Sequence, residues 1–158
     1  MSSRAYVGLG ANLGADLAQT LAEAARRLAV LPGTRVVALS SAWRSAPVEA
    51  HGPDFLNAVA ALDTELAPLP LLDALQAIEL AHGRERPYRN APRTLDLDLL
   101  LYDAQVLDTP RLTLPHPRLG ERAFVLRPLL EIAPELATLA MGDGWQAQRI
   151  ERLAPLSL

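Results

Sequence analysis

The chain has 158 residues, half of them hydrophobic, which suits one domain spanning residues 1–158 and is too few to promise two. Its formal net charge of -3 argues against nucleic acid or an anionic membrane surface as the main partner. The chain has no cysteine, which excludes disulfides, thiol nucleophiles and thiolate zinc sites, and no apolar run long enough to span a membrane. We therefore expect a soluble, cytoplasmic protein, most simply a monomer.

All 15 basic residues are arginine, so a Walker lysine or a lysine Schiff base is excluded. Eight arginines and six acids between residues 84 and 127 give that segment a charge of +2, whereas seven arginines and twelve acids elsewhere give -5. A locally positive region in an acidic protein favours an anionic small molecule, and the planar guanidinium suits phosphate. On charge alone, a merely solvated arginine face is an equally good interpretation.

The predicted elements alternate in the order strand, helix, strand, strand, helix, strand. Hydrophobic periodicity and glycine or proline breaks predict strands at 5–10, 35–43 and 55–66, helices at 16–30 and 70–82, an aspartate-bearing strand after the loop 84–94, a short hairpin from the turn at 103–104 to about 106, and a further helix at 122–132. This order is typical of a ferredoxin-like βαββαβ core, an α+β fold with a mainly antiparallel sheet and helices packed on it.

The aspartate strand reads R-T-L-D-L-D-L-L-L-Y-D at residues 93–103. Because alternate side chains of a strand share a face, Asp96 and Asp98 are predicted to face one side with Leu100 and Tyr102, and the odd-numbered leucines 95–101 the other. The two carboxylates would then stand roughly 6.6 Å apart along the strand, a spacing that suits shared divalent cations.

Three further features of the sequence bear on the site to different degrees. The glycines of G-L-G-A-N-L-G at 8–14 miss the dinucleotide-binding spacing and indicate a plain strand-to-helix turn. The loop at 83–93 brings four arginines next to the aspartates, although a salt-bridge role for them remains open. Phe55 and Phe124, the only phenylalanines, fall near predicted loop mouths and could sandwich a flat heterocycle, although core packing is the usual role of Phe.

Residues 89–100, R-N-A-P-R-T-L-D-L-D-L-L, closely resemble the signature of the 6-hydroxymethyl-7,8-dihydropterin pyrophosphokinase family. Four more blocks resemble the family in order and spacing, namely G-L-G-A-N-L-G, P-D-F-L-N-A-V, I-E-L-A-H-G-R and the stretch L-T-L-P-H-P-R-L-G-E-R-A-F-V-L-R-P-L-L-E-I-A-P-E-L. The resemblance covers residues 5 to about 137.

The resemblance implies an ATP-dependent diphosphokinase of folate biosynthesis, which transfers the pyrophosphoryl group of ATP to the hydroxymethyl oxygen of the dihydropterin and releases AMP. Asp96 and Asp98 would hold two Mg²⁺ ions, and Arg84 and Arg93 would act with them in catalysis. The positions implied for ATP are Gln76, Glu79, Arg84, Arg86, Arg93, Leu99, Arg111, Thr113, His116 and Arg122. Those implied for the pterin are Ser45, Ala46, Val48, Phe55, Asn57 and Phe124.

The sequence departs from the family's best-known pattern in several places. Asn90 stands where relatives can have Trp, Phe55 and Pro117 where they can have Tyr, and Ser45-Ala46 where they can have Thr-Pro. The change at Asn90 puts in doubt how the arginine loop closes, but it leaves the aspartate pair untouched. Two alternatives stay open. One is a different metal-dependent phosphotransferase or phosphohydrolase that uses the same D-x-D pair. The other is a non-catalytic ferredoxin-like binding module, for RNA or a regulatory metabolite. The acidic charge and the scarcity of aromatic residues disfavour RNA.

Overall fold

The computed structural model describes residues 2–12, 16–46, 54–82 and 95–158. Its elements follow in the order β1 (Ser3–Ala11), α1 (Leu17–Ala29), β2 (Thr34–Leu39), β3 (Ser41–Ser45), β4 (Phe55–Thr64), α2 (Pro68–His82), β5 (Asp96–Tyr102), β6 (Leu107–Asp108), β7 (Thr113–Leu114), α3 (Ala123–Ile132) and β8 (Ile150–Pro155). Short 3-10 helices lie at Leu119–Glu121, Pro134–Leu139 and Gly144–Ala147. None of the helices in these ranges has the length and apolar character needed to cross a membrane.

The main sheet has the strand order β5-β1-β4-β3-β8, β2 also pairs with β4, and all of these pairs are antiparallel. This arrangement confirms the predicted α+β fold with its βαββαβ core. The predicted second strand is split into β2 and β3 at Ser40. There the Ser40 N–H donates to the Val59 carbonyl at 3.0 Å, and the Ser40 hydroxyl accepts from the Val59 N–H at 2.9 Å.

The sheet is covered on both faces. Helices α1 and α2 pack on one face over a core that includes Leu21, Leu62 and Leu75, all without solvent exposure. Helix α3 packs on the other face, where Leu126 and Leu129 meet Val59. Since the sheet is buried on both sides in its centre, β4 presents eight buried residues among its ten, and its sequence lacks polar alternation.

The predicted alternation of β5 holds only as far as Leu100. The pairing register slips between β1 and β5, so that Leu99 faces Val7 and Leu101 faces Tyr6 while Leu100 is left over as a bulge. As a result Leu100 and Leu101 both belong to the core under α3, and Tyr102 lies with Leu99 in the core under α1 and α2. The predictions for Leu101 and Tyr102 were therefore wrong, because one extra residue reverses the alternation of faces.

The short hairpin lies later in the chain than the turn that suggested it. Asp103 adopts the left-handed conformation with φ of 48°, and its carboxylate accepts from the Arg4 N–H at 2.7 Å, which ties the turn to β1. The chain then pairs β6 with β7 in a separate two-stranded sheet. The sequence also left the tail undefined, and the structure adds β8 beside β3 at the edge of the main sheet.

Candidate active site

Two cavities, each of about 340 Å³, meet at the aspartate pair on β5. Asp96 and Asp98 are the only residues that line both of them among the described parts of the chain. The reason is the place of β5 in the fold. It is an edge strand, so one cavity opens on its α3 face and the other beyond its free edge, towards α2 and the β6–β7 hairpin. The two carboxylates are thus accessible from two sides.

The first cavity has apolar walls with a few polar groups. Phe55 and Phe124 both line it, together with Val59, Leu100 and Val125. Ser45, Ala46 and Asn57 also line it, as do Gly8 and Gly10 of β1. The buried Asn57 amide donates from Nδ2 to the Ser45 hydroxyl at 2.7 Å. This combination of aromatic rings and one fixed amide suits a flat heterocycle with hydrogen-bonding edges.

The second cavity is more polar. The residues that line it include Gln76, Glu79, Leu99, Arg111, Thr113 and His116, all of which the resemblance implied for the nucleotide. Arg111 donates from Nη2 to Asp73 at 2.6 Å and to Gln76 at 3.3 Å, and the Glu79 carboxylate accepts from the Leu97 N–H on the free edge of β5 at 2.8 Å. Guanidinium, imidazole and hydroxyl groups around one cavity suit an anionic, hydroxyl-bearing ligand.

His116 stands beside the aspartates in this second cavity. Burial lowers its pKa, the Asp98 carboxylate raises it in part, and Arg122 and Arg118 lower it further. The ring is therefore neutral at pH 7, and its Nδ1 accepts from the Arg118 N–H at 3.3 Å. That bond leaves Nε2 as the protonated nitrogen, which can donate to an oxygen of a bound ligand.

Arg122 lies apart from the other described residues implied for ATP. It lines the first cavity, and its guanidinium lies 5.2 Å from the centre of the Phe124 ring. The aspartate pair lines that cavity too, so the Arg122 guanidinium is placed where it can bind an anionic group that enters near the carboxylates. The predicted residues Val48, Arg84, Arg86 and Arg93 fall outside the described residues.

Several lining residues were missed from the sequence. Gly8 and Gly10 pair with Asp98 and Asp96 across β1 and β5. A Cβ atom on Gly10 would lie 3.2 Å from the Asn57 carboxamide oxygen, so glycine gives that side chain its room. The signal was present, because two glycines spaced two apart in a strand mark a close approach on one face. Thr109 and Pro110, which line the second cavity, gave no such signal.

The comparisons with known proteins decide the family. Residues 6–134 match the family model described as 7,8-dihydro-6-hydroxymethylpterin-pyrophosphokinase. The chain belongs to this family. Membership confirms the predicted activity class, an ATP-dependent diphosphokinase, and neither alternative left open by the sequence is favoured.

Individual members of the pyrophosphokinase family agree with the match. The chain is 54% identical over 137 residues to the 2-amino-4-hydroxy-6-hydroxymethyldihydropteridine pyrophosphokinase of Pseudomonas aeruginosa. The aligned segment covers 86% of this chain and 84% of that protein. It is 50% identical over 135 residues to the enzyme of the same name from Methylorubrum extorquens, with 85% of each chain covered. The crystal structure of wild-type HPPK-DHPS from Plasmodium falciparum shares the fold, with a TM-score of 0.63 at 13% sequence identity. The superposed part covers 85% of this chain and 38% of the longer Plasmodium chain.

Proposed function

We propose that the two cavities divide the substrates of this pyrophosphokinase between them, with the dihydropterin in the first and ATP in the second. The protein transfers the pyrophosphoryl group of ATP to the hydroxymethyl group of 6-hydroxymethyl-7,8-dihydropterin in folate synthesis, and AMP is the other product. The observation that supports the division is that the aspartate pair alone lines both cavities in the described part of the chain. Pyrophosphoryl transfer requires the two substrates to meet at one point, and this is such a point.

In the first cavity, Phe55 and Phe124 contact the two faces of the pterin ring, and Asn57 forms a hydrogen bond with the ring's edge. The Ser45 hydroxyl accepts the Asn57 Nδ2–H, which leaves the Asn57 carbonyl oxygen as the group available to the pterin's donors. Ala46 lines the same wall, and we place Val48 with it by the family resemblance. An apolar cavity with one oriented amide selects a planar, amide-bearing ring over a sugar.

In the second cavity, Arg111, Thr113 and His116 bind polar parts of ATP, and Leu99 gives an apolar contact. Gln76 and Glu79 complete the α2 side of the cavity. Arg122 lies in the first cavity and binds, from that side, the ATP phosphates that come near the carboxylates. We place Arg84, Arg86 and Arg93 around the same phosphates, where Arg84 and Arg93 stabilise the charge that moves during transfer.

Asp96 and Asp98 suit Mg²⁺, which prefers one or two carboxylates completed by phosphate oxygens and waters. Among the described residues no three acidic, histidine or cysteine side chains are close enough together to hold a metal ion, so a closed protein cage of the kind that holds structural metals is absent there. We propose that the aspartates hold two Mg²⁺ ions, whose role when bound is to neutralise the triphosphate. Arg122 and the neutral His116 flank this pair from its two sides.

The division of substrates is tested by the Michaelis constants of two variants. Phe124→Ala removes an aromatic wall and should raise the KM for the dihydropterin by about tenfold while leaving that for ATP nearly unchanged. Arg111→Ala should do the reverse, raising the KM for ATP by about tenfold. Leu130→Ala and Arg118→Ala are the matched controls, because neither residue lines either of these two cavities. Variants that raise both constants equally would contradict the division.

We further propose that residues 1–158 act as a single domain and that the enzyme works as a cytoplasmic monomer. The support for one domain is the continuous sheet that joins β1 to the last strand, β8. Sedimentation of the purified chain would test the monomer directly.

A further inference from the structure

We propose that Gln148 is a positioning residue for the dihydropterin cavity. Its side-chain amide holds the backbone on both sides of Arg122, and Arg122 and Phe124 both line that cavity. The inference rests on the proposed assignment of the dihydropterin to the first cavity. Residue 148 itself lies beyond the segment 6–134 that matches the family model.

The amide makes two complementary hydrogen bonds. Gln148 Oε1 accepts from the Ala123 N–H at 2.9 Å, and Gln148 Nε2 donates to the Glu121 carbonyl at 2.8 Å. Between these groups Arg122 is extended, with φ of -113° and ψ of 118°. The side chain thus pairs with the segment as the backbone of a neighbouring strand would. A carboxylate lacks the donor and an ammonium lacks the acceptor, so an amide is the group that satisfies both partners.

The start of α3 needs an acceptor from elsewhere in the chain. Arg122 occupies the N-cap position, and its side chain makes no capping hydrogen bond. A guanidinium has only donors and cannot accept from the free N–H groups of a helix start. The usual capping residues, Ser, Thr, Asp and Asn, are excluded at a position that presents arginine to the cavity. Gln148 supplies an acceptor for one of these free N–H groups, that of Ala123, the first residue of the helix.

Gln148 is itself held in place by its neighbours. Its N–H donates to the Trp145 carbonyl at 3.2 Å, and Trp145 is buried in the core under α3. The guanidinium of Arg127, one turn into α3, lies 4.9 Å from the centre of the Trp145 rings. Although the Gln148 side chain is exposed, its backbone is therefore fixed relative to the helix whose start it contacts.

A loose segment around Arg122 would affect the two cavities unequally. Phe124 follows Arg122 by two residues, and the Arg122 guanidinium lies over its ring, so a shift of the segment moves both groups. Neither residue lines the second cavity. Phe124 serves the dihydropterin alone, whereas Arg122 also serves ATP through the phosphates near the carboxylates, so the effect on ATP is the smaller one. Loss of the Gln148 bonds should therefore weaken binding of the dihydropterin more than binding of ATP.

The test compares both Michaelis constants of Gln148→Ala with those of Gln146→Ala, an exposed glutamine of the same turn. At saturating Mg-ATP, Gln148→Ala should raise the KM for 6-hydroxymethyl-7,8-dihydropterin by about fivefold, the effect of losing about one net hydrogen bond. The KM for ATP should change by less than about twofold, and Gln146→Ala should resemble the wild type. A merely structural residue would lower Tm or the active fraction without separating the two constants, and that result would overturn the proposal.

Phe124→Ala in the same assay separates the two possible failures. If Phe124→Ala leaves the KM for dihydropterin unchanged, the cavity assignment fails and this inference fails with it. If Phe124→Ala raises that KM and Gln148→Ala does not, the positioning role alone is wrong. Should Gln148→Ala fail to fold, Gln148→Glu keeps the acceptor for Ala123 and loses the donor to Glu121. It should still raise the KM for the dihydropterin by at least about twofold, and equal changes in both constants would refute the role.

Discussion

The aspartate pair owes its position to small neighbours as much as to its own strand. Asp98 and Asp96 pair with Gly8 and Gly10, so no side chain from β1 stands between the carboxylates and the first cavity. The sequence was sufficient to predict that both aspartates share a face. It could not show that the face opens into two cavities, because these form only where α2, α3 and the β6–β7 hairpin pack around β5.

Asp98→Asn should reduce turnover by at least about a hundredfold, because a neutral amide is a poor ligand for Mg²⁺ and leaves the triphosphate charge uncompensated. Asp98 is exposed, so the variant's Tm should stay within a few degrees of the wild type. The measurement is kcat beside a thermal melt. The control is Asp108→Asn, at an exposed aspartate on β6, which should change neither kcat nor Tm. An Asp98→Asn enzyme with the wild-type kcat would refute the metal role.

Helix α3 is joined to the sheet edge by one carboxylate. Glu131 accepts hydrogen bonds from the Ser41 N–H at 2.9 Å, from the Ser41 hydroxyl at 2.9 Å and from the Trp43 indole at 2.9 Å, and it pairs with Arg152 of β8 at 3.2 Å. These contacts connect α3 with β3 and β8. The periodicity of residues 122–132 predicted the helix, but it could not predict the strand that follows it, since β8 is short, half-exposed and specified by these tertiary contacts.

The Glu131 cluster predicts how stability depends on pH. Burial raises the pKa of this carboxyl, but the bonds from Ser41 and Trp43, with the charge of Arg152, outweigh it and hold the pKa below its ordinary value of 4.5. A lowered folded-state pKa stabilises the fold above pH 4.5, and that contribution is lost as the pH falls through the folded-state value.

We therefore expect Glu131→Gln to lower the free energy of unfolding at pH 7 by about 2 kcal/mol, with the deficit shrinking as the pH falls below about 4.5. Urea unfolding of both proteins between neutral pH and about pH 3 would measure the difference. Glu135→Gln, at an exposed acid in the next turn, should leave the curve unchanged. A Glu131→Gln deficit that stayed constant across this range would show that the carboxyl's ionisation does not contribute.

The proposed site lies at the free edge of a sheet that is buried on both faces. Hydrophobic patterning sufficed to predict the βαββαβ core, because its helices and long strands follow their own periodicity. It failed at Ser40 and Leu100, where a strand break and a bulge are set by partner strands. The residues that line the two cavities lie on segments spread from Gly8 to Val125, so their division became visible only in three dimensions.

The central claim is that one metal-binding carboxylate pair serves both cavities at once. Paramagnetic Mn²⁺ in place of Mg²⁺ tests it most directly, in a complex of the enzyme with a non-hydrolysable ATP analogue and 6-hydroxymethylpterin. We predict that Mn²⁺ broadens both the ³¹P resonances of the nucleotide and the proton resonances of the pterin, and that Asp98→Asn weakens both effects. Broadening of the ³¹P resonances alone, with the pterin bound and its proton lines sharp, would contradict the claim.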